Sequence, residues 1–343
     1  MRKFRVAIVG ATGAVGREMI NMVEKLNFPV SEIHFLASHR SKGKKLKFKN
    51  EEIEVKELTP EFIEKTDVEI VLMSAGGSTS KKYAPLFAKR KIYCIDNSSA
   101  WRMVPEVPLV VPEINAHTLS PQKYIIANPN CSTIQMVQAL YPVHKIAKIK
   151  RIVVATYQAV SGAGQKAILE LQNQARKIVE TNFEKIHVSR KDISALPQQI
   201  AFNLIPQIDV FLENSFTKEE MKMVNETKKI LDPEIEVTAT CVRVPVIRGH
   251  SEAVNVELER EISIEEIYKA IRNGENLVLI DDIKNLKYPM PVDAHGKLPT
   301  FVGRIRKDPS RKNCWWLWIV SDNLLKGAAL NAVQIAFKLI ELL

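Results

Sequence analysis

Several kinds of protein are excluded by what this chain lacks. Its four cysteines, Cys94, Cys131, Cys241 and Cys314, form neither a CxxC pair nor a zinc-ligand spacing in 343 residues. A disulfide framework and a structural zinc site are therefore not expected, and no metal is called for. No run approaches the roughly 20 apolar residues of a membrane span. The amino terminus enters a strand-like stretch with no signal-peptide pattern, so a soluble cytoplasmic protein is expected. Aromatic residues make up only 7% of the chain and are not interleaved with the basic ones, although the net charge is +10. With no helix-turn-helix, zinc or RNA-recognition signature, nucleic acid is not an expected partner, and small phosphorylated ligands account for the charge as economically. Repeats, low-complexity segments and an obvious linker are also missing. What remains is a length suited to two domains and a hydrophobic content of 46%, enough for a core in each.

Glycine is scarce too, at 13 residues, yet three fall in one stretch, Gly10-Ala11-Thr12-Gly13-Ala14-Val15-Gly16. An apolar run of strand length, 4–9, precedes it, and Met19, Ile20, Val23 and Leu26 follow at helical spacing. Strand, glycine turn and helix in that order cradle a dinucleotide pyrophosphate, because backbone N–H groups at a helix start face the anion. The spacing is GxxGxxG rather than GxGxxG, and such turns also occur with no ligand. The next strand, 33–37, ends in Ser38-His39-Arg40-Ser41 where an NAD site places an acid. A cation and hydroxyls suit a ribose 2′-phosphate, which favours NADP. The competing reading is a solvated basic turn, since Lys42, Lys44, Lys45, Lys47 and Lys49 follow.

A second motif points to chemistry. Strand-like 124–127 leads into Asn128-Pro129-Asn130-Cys131-Ser132, after which Ile134, Val137, Leu140 and Tyr141 recur at helical intervals. Cys131 then sits at a helix start, where unpaired N–H groups and the positive end of the dipole favour thiolate. That makes it a candidate nucleophile, with an ordinary buried thiol as the alternative. The other three cysteines lie in apolar strand-like runs and read as core.

Strand and helix signals alternate through 69–73, 81–90 and 92–95, as in a doubly wound α/β domain. From residue 149 the character becomes α+β. A strand at 152–157, a helix at 166–179 and an irregular stretch to Gln207 come first. A capping box, Thr217 with Glu220, opens a helix ending near Leu231. Strands at 237–246, 253–258 and 277–280 follow, with a helix at 263–271 between the last two. The final segment, 324–343, reads as one apolar-faced helix that returns to the nucleotide domain. The expected architecture is a Rossmann-type dinucleotide-binding domain, 1–130 plus 325–343, and an α+β catalytic and dimerisation domain, 131–324, around a broad mixed sheet.

Six blocks in order bring a family into view: the glycine turn 10–16, 96–102 (DNSSAWR), 128–133 (NPNCST), 156–164 (TYQAVSGAG), 243–250 (RVPVIRGH) and 322–327 (DNLLKG). Together they span nearly the whole chain and resemble aspartate-β-semialdehyde dehydrogenase, the short forms more than the longer proteobacterial form. His39, Lys42 and Leu325 depart from the pattern. The resemblance implies reduction of β-aspartyl phosphate to aspartate semialdehyde with NADPH, releasing phosphate, on the route to lysine, methionine and threonine. It implies Cys131 as the thioester-forming nucleophile, His250 as acid/base and Gln158 as the orienting amide. Arg243 corresponds to the carboxylate clamp, Arg102 and Lys222 to the phosphate holders with Asn130 assisting, and Glu219 to the partner of the substrate ammonium. Ser161 and Gly162 match the turn nearest the nicotinamide, and Asn323 its carboxamide contact. A homodimer, sometimes paired into a tetramer, is implied as well.

Other readings of these residues stay open at this stage. His250 and Gln158 could be structural strand-end residues, Glu219 and Lys222 one helical turn apart could be a surface ion pair, and the 161–164 stretch could be only a tight turn. N-acetyl-γ-glutamyl-phosphate reductase shares the thiol chemistry, and a non-catalytic nucleotide-binding regulator shares the fold.

Overall fold

The structure is a computed structural model and describes residues 2–343. The chain forms two compact units, one running to Asn130 and completed by Gly327–Leu343, the other Cys131–Lys326. In the first unit, strands β1 (Phe4–Val9), β2 (Val30–Ala37), β3 (Lys45–Phe48), β4 (Glu51–Glu57), β5 (Ile70–Met73), β6 (Tyr93–Asp96) and β7 (Ile125–Ala127) form one sheet. Its order is β3-β4-β2-β1-β5-β6-β7. Every pairing is parallel except β3 with β4. Central strands with both faces covered read as unbroken apolar runs, and β5, Ile-Val-Leu-Met, is buried at every position. The strand order reverses beside β1, and the crevice beyond the carboxyl ends at such a point is where doubly wound sheets bind ligands.

Two local expectations are corrected here. The lysine run does not form a solvated turn throughout, because Lys45 to Phe48 pairs with β4 as a hairpin at the sheet edge. Its alternation decides this: Lys45 and Lys47 face water opposite Glu54 and Glu52, while Phe48 is buried. Lysines on an edge strand also discourage further strand pairing. The carboxyl-terminal segment is not one helix either, since a π-helical turn, Leu325–Ala329, precedes the helix Leu330–Ile340. The Asp322 carboxylate accepts from the N–H groups of Leu324 and Leu325 and so fixes where the turn begins. Beyond it the helix packs on Ala14–Lys25, and Phe337 meets Phe28 edge-to-face at 4.9 Å.

The second unit holds a six-stranded mixed sheet of β8 (Ile149–Gln158), β9 (Glu236–Arg243), β10 (His250–Leu258), β11 (Leu277–Leu279), β12 (Thr300–Lys307) and β13 (Cys314–Ser321). The order is β11-β12-β13-β10-β8-β9. β12 had no sequence signal, because Gly303 and three charged residues, Arg304, Arg306 and Lys307, interrupt its alternation; Arg304 is also left-handed. The helix Cys131–Ala147 lies across this sheet, and 11 of its 17 residues are buried. The predicted capping box is present, Thr217 capping Lys218–Ile230 through Glu220, and the structure adds a second that was not predicted, Ser263 capping Ile264–Arg272 through Glu266. Register then places function. Parallel pairing sets Gln158 beside Arg243, and antiparallel pairing sets Ser251 beside Tyr157, so Gln158, Arg243 and His250 share one end of the sheet.

Two residues along β10 from His250, Glu252 is fully buried and neither carboxyl oxygen has a hydrogen-bond partner among the described residues. Burial pushes its carboxyl well above the usual 4.5, offset only in part by Gln135. The unfolded chain ionises this group near 4.5 while the folded chain keeps it protonated, so its contribution to stability is lost as pH rises. The slope is at most about 1.4 kcal/mol per pH unit. Glu252→Gln mimics the neutral acid, and denaturant unfolding is expected to show it more stable than the parent at about pH 8, the gain shrinking to nothing towards about pH 4.

Candidate active site

In the first unit, the glycine turn closes tightly on itself. Gly10 takes φ +80°, and a Cβ there would fall 2.2 Å from the Ser74 carbonyl oxygen; one at Gly16 would fall 2.1 Å from that of Gly10. Only glycine fits either position. Gly13 donates its N–H to Gly10 and stands at the N-cap of Ala14–Lys25 with no side chain capping the helix. Ala14 and Val15 form the first turn, so their N–H groups have no intrahelical acceptor and are the natural donors to an anion. A cleft of about 760 Å³ opens here, lined by Gly10, Thr12, Gly13, Ser38, His39 and Arg40 among others. The Thr12 and Ser41 hydroxyls share a hydrogen bond of 3.2 Å that ties the glycine turn to the short 3-10 turn His39–Ser41. Glycine backbone, uncapped helix start, two hydroxyls and Arg40 suit a phosphorylated dinucleotide.

Arg102 and Asn130 also belong to this unit, and both are buried. Arg102 donates from Nε to the Asn128 carbonyl and from Nη2 to that of Asn97, each at 3.0 Å, which fixes the guanidinium plane.

The remaining predicted residues lie in the second unit. Cys131 is the first residue of its helix and, unlike Cys94, Cys241 and Cys314, is only partly buried. Burial pushes the Cys94 and Cys241 thiols far up, so neither is a nucleophile. Arg243, 6% exposed, ends β9 and donates from Nη1 to the Ala159 carbonyl at 2.8 Å. Burial lowers its pKa, while Glu219 and Cys131 act in the opposite sense. Gln158 ends β8 and donates to Glu219 at 3.2 Å. Lys222 donates to Glu219 at 3.0 Å and to Asp209 at 2.9 Å. Glu219 is buried, so this is not a solvated surface pair. Burial opposes the Lys222 charge, yet Glu219 and Asp209 together raise its pKa.

His250 is wholly buried at the start of β10. Its Nδ1 accepts the Ala159 N–H at 3.0 Å, and Nε2 has no partner among the described residues. Accepting at Nδ1 places the proton of the neutral ring on Nε2. Burial and, secondarily, Arg243 hold its pKa well below 6.5. The neutral ring therefore presents a donor N–H at Nε2, in the residue for which the resemblance implied an acid/base role. Gly162 sits against both Arg243 and His250, since a Cβ there would fall 2.9 Å from Arg243 Nη1 and 3.3 Å from the His250 ring. Ser161 and Asn323 are buried and joined through their side chains at 3.0 Å, and the Asn323 carbonyl accepts the Gly249 N–H at 2.9 Å. Asp322 was not singled out from sequence. It binds Arg248 at 2.6 Å and accepts the Gly296 N–H at 2.7 Å, anchoring the 248–250 stretch beneath Asn323. No helix among the described residues is long and apolar enough to cross a membrane.

Comparison with known proteins shows what the whole chain is similar to. Residues 5–122 match the family model for the semialdehyde dehydrogenase NAD binding domain, and residues 140–326 match that for the semialdehyde dehydrogenase dimerisation domain. Aspartate-semialdehyde dehydrogenase of Aquifex aeolicus is 53% identical over 98% of both chains, and that of Bacillus subtilis 50% identical over 98% of this chain and 97% of its own. A crystal structure of aspartate semialdehyde dehydrogenase II from Vibrio cholerae, complexed with ASA, superposes with a TM-score of 0.93 at 45% identity over 99% of both chains. With identity of this order sustained from end to end, the chain belongs to the semialdehyde dehydrogenase family.

Proposed function

We propose that the chain carries out NADPH-dependent reductive dephosphorylation of β-aspartyl phosphate to aspartate semialdehyde, feeding lysine, methionine and threonine synthesis, with Cys131 as nucleophile. One observation carries the site assignment: a partly exposed thiol begins a helix in the same compact unit as a buried arginine whose charge it offsets. Cys131 as thiolate attacks the acyl carbon, and phosphate leaves with the electrons of the C–O bond, giving a thioester. NADPH, when bound, supplies hydride to that carbon. The tetrahedral oxygen so formed is an anion, and the Nε2–H of His250 is the donor that stabilises it. Collapse expels the Cys131 thiolate and frees the aldehyde, so this direction needs no proton from the protein once the thiol is ionised.

Arg243 suits the substrate α-carboxylate because guanidinium binds carboxylate bidentately. Glu219 suits the ammonium, and a free-amine partner favours the aspartyl substrate over an N-acylated one. Arg102, Asn130 and Lys222 hold phosphate, Gln158 orients the thioester, and Ser161, Gly162 and Asn323 serve the nicotinamide end. The pyrophosphate falls to Gly10, Thr12, Gly13, Ala14, Val15 and Gly16, and the 2′-phosphate to Ser38, Arg40 and Ser41. The family's dimerisation domain supports self-association, and a homodimer, open to pairing into a tetramer, is the assembly proposed.

A coupled assay with aspartate semialdehyde, phosphate and either cofactor tests substrate, reaction and cofactor together. Cys131→Ala is expected to lower phosphate-dependent oxidation about 10³-fold or more while leaving NADPH binding intact; full activity in this variant removes the mechanism. His250→Gln, which keeps an N–H donor, is expected to retain about ten times the kcat/KM of His250→Ala. Because imidazole protonation lies well below 6.5, the parent profile of kcat/KM should show no histidine limb near that pH. A limb there that vanishes in His250→Gln restores the base role.

A further inference from the structure

The strand that ends in the 2′-phosphate turn has an acid beside it after all. Parallel register pairs Glu57, the last residue of β4, with Ala37, the last residue of β2. The carboxylate thus occupies the neighbouring strand end at the position level where an NAD site carries its ribose-binding acid. Glu57 lines the same cleft as Ser38, His39 and Arg40, with its side chain 30% exposed. A free carboxylate here accepts from a ribose 2′-hydroxyl and repels a 2′-phosphate. It is not free: His39 donates its Nδ1–H to Glu57 Oε2 at 3.0 Å.

We infer that His39 sets cofactor choice by occupying Glu57, so that Ser38, Arg40 and Ser41 can receive a phosphate that the carboxylate would otherwise reject. This deepens the cofactor assignment of the proposed function and rests on it. A neutral imidazole suffices to take up the carboxylate lone pair.

The test is calorimetric binding of 2′,5′-ADP and 5′-AMP, which isolates the 2′-phosphate without requiring turnover. The parent is expected to prefer 2′,5′-ADP. His39→Ala should weaken 2′,5′-ADP about tenfold and leave 5′-AMP unchanged or tighter, since a like charge near the phosphate acts on one ligand only. His39→Ala with Glu57→Gln should recover most of that loss, which a direct histidine–phosphate contact would not allow. Both side chains reach solvent, and thermal melting verifies that the variants fold. Unchanged 2′,5′-ADP affinity in His39→Ala, or a loss that Glu57→Gln fails to recover, overturns the inference while the NADP assignment stands. A parent that binds both ligands equally overturns the NADP assignment and the inference with it.

Discussion

A guanidinium kept out of water is the constraint around which the second unit is organised. Removing Arg243 from solvent costs several kcal/mol unless anions and carbonyl oxygens surround it. The chain supplies the Ala159 carbonyl, the Glu219 carboxylate and the Cys131 sulfur. The same charge has consequences for its neighbours. It favours the thiolate form of a sulfur that already begins a helix, and it disfavours protonation of His250, whose ring is buried beside it. In the proposed mechanism, that one residue sorts the site into an anionic nucleophile and a neutral donor. The opposite arrangement, a thiolate paired with an imidazolium, would place two cations together in a region of low dielectric.

The sheet is what brings these groups together. Gln158 and Arg243 end parallel neighbours in register, and His250 begins the antiparallel strand on the other side of β8. A one-residue slip in either pairing would turn the functional side chain to the opposite face. Register is held by buried residues on the helix-covered face, such as Ile152, Val154, Val254 and Val256. Loops add the rest: Asp322, taking up Arg248 and the Gly296 N–H, fixes the approach to His250, and Gly162 leaves room for both Arg243 and the imidazole.

Much of this was legible in the sequence, and the failures share a cause. The glycine turn, the Cys131 helix start and the Thr217 capping box are local devices whose residues interact within a few positions, and each appears in the structure. The β3–β4 hairpin was missed because its lysines are matched by glutamates on another strand, which a reading of charge runs does not see. The π-helical turn depends on a carboxylate that precedes it, and periodicity alone gives one uninterrupted helix. The protonation site of His250 was hidden for the same reason: an amide 91 residues away in sequence decides it. Residue identity names the candidate groups, and long-range packing sets their state.

Position along β10 shows how strongly packing overrides intrinsic acidity. His250 and Glu252 point to the same face, both are wholly buried, and burial drives their pKa values in opposite directions, the imidazole down and the carboxyl up. Both end uncharged near neutral pH. The two groups therefore penalise stability from opposite sides. Below about 6.5 the unfolded chain gains a proton on His250 that the folded chain refuses, and above about 4.5 it loses one from Glu252 that the folded chain retains. Holding these two buried groups uncharged therefore carries a standing cost in stability. An ionised side chain at position 250 would add a second buried charge beside Arg243, and a cation there would be repelled by the guanidinium.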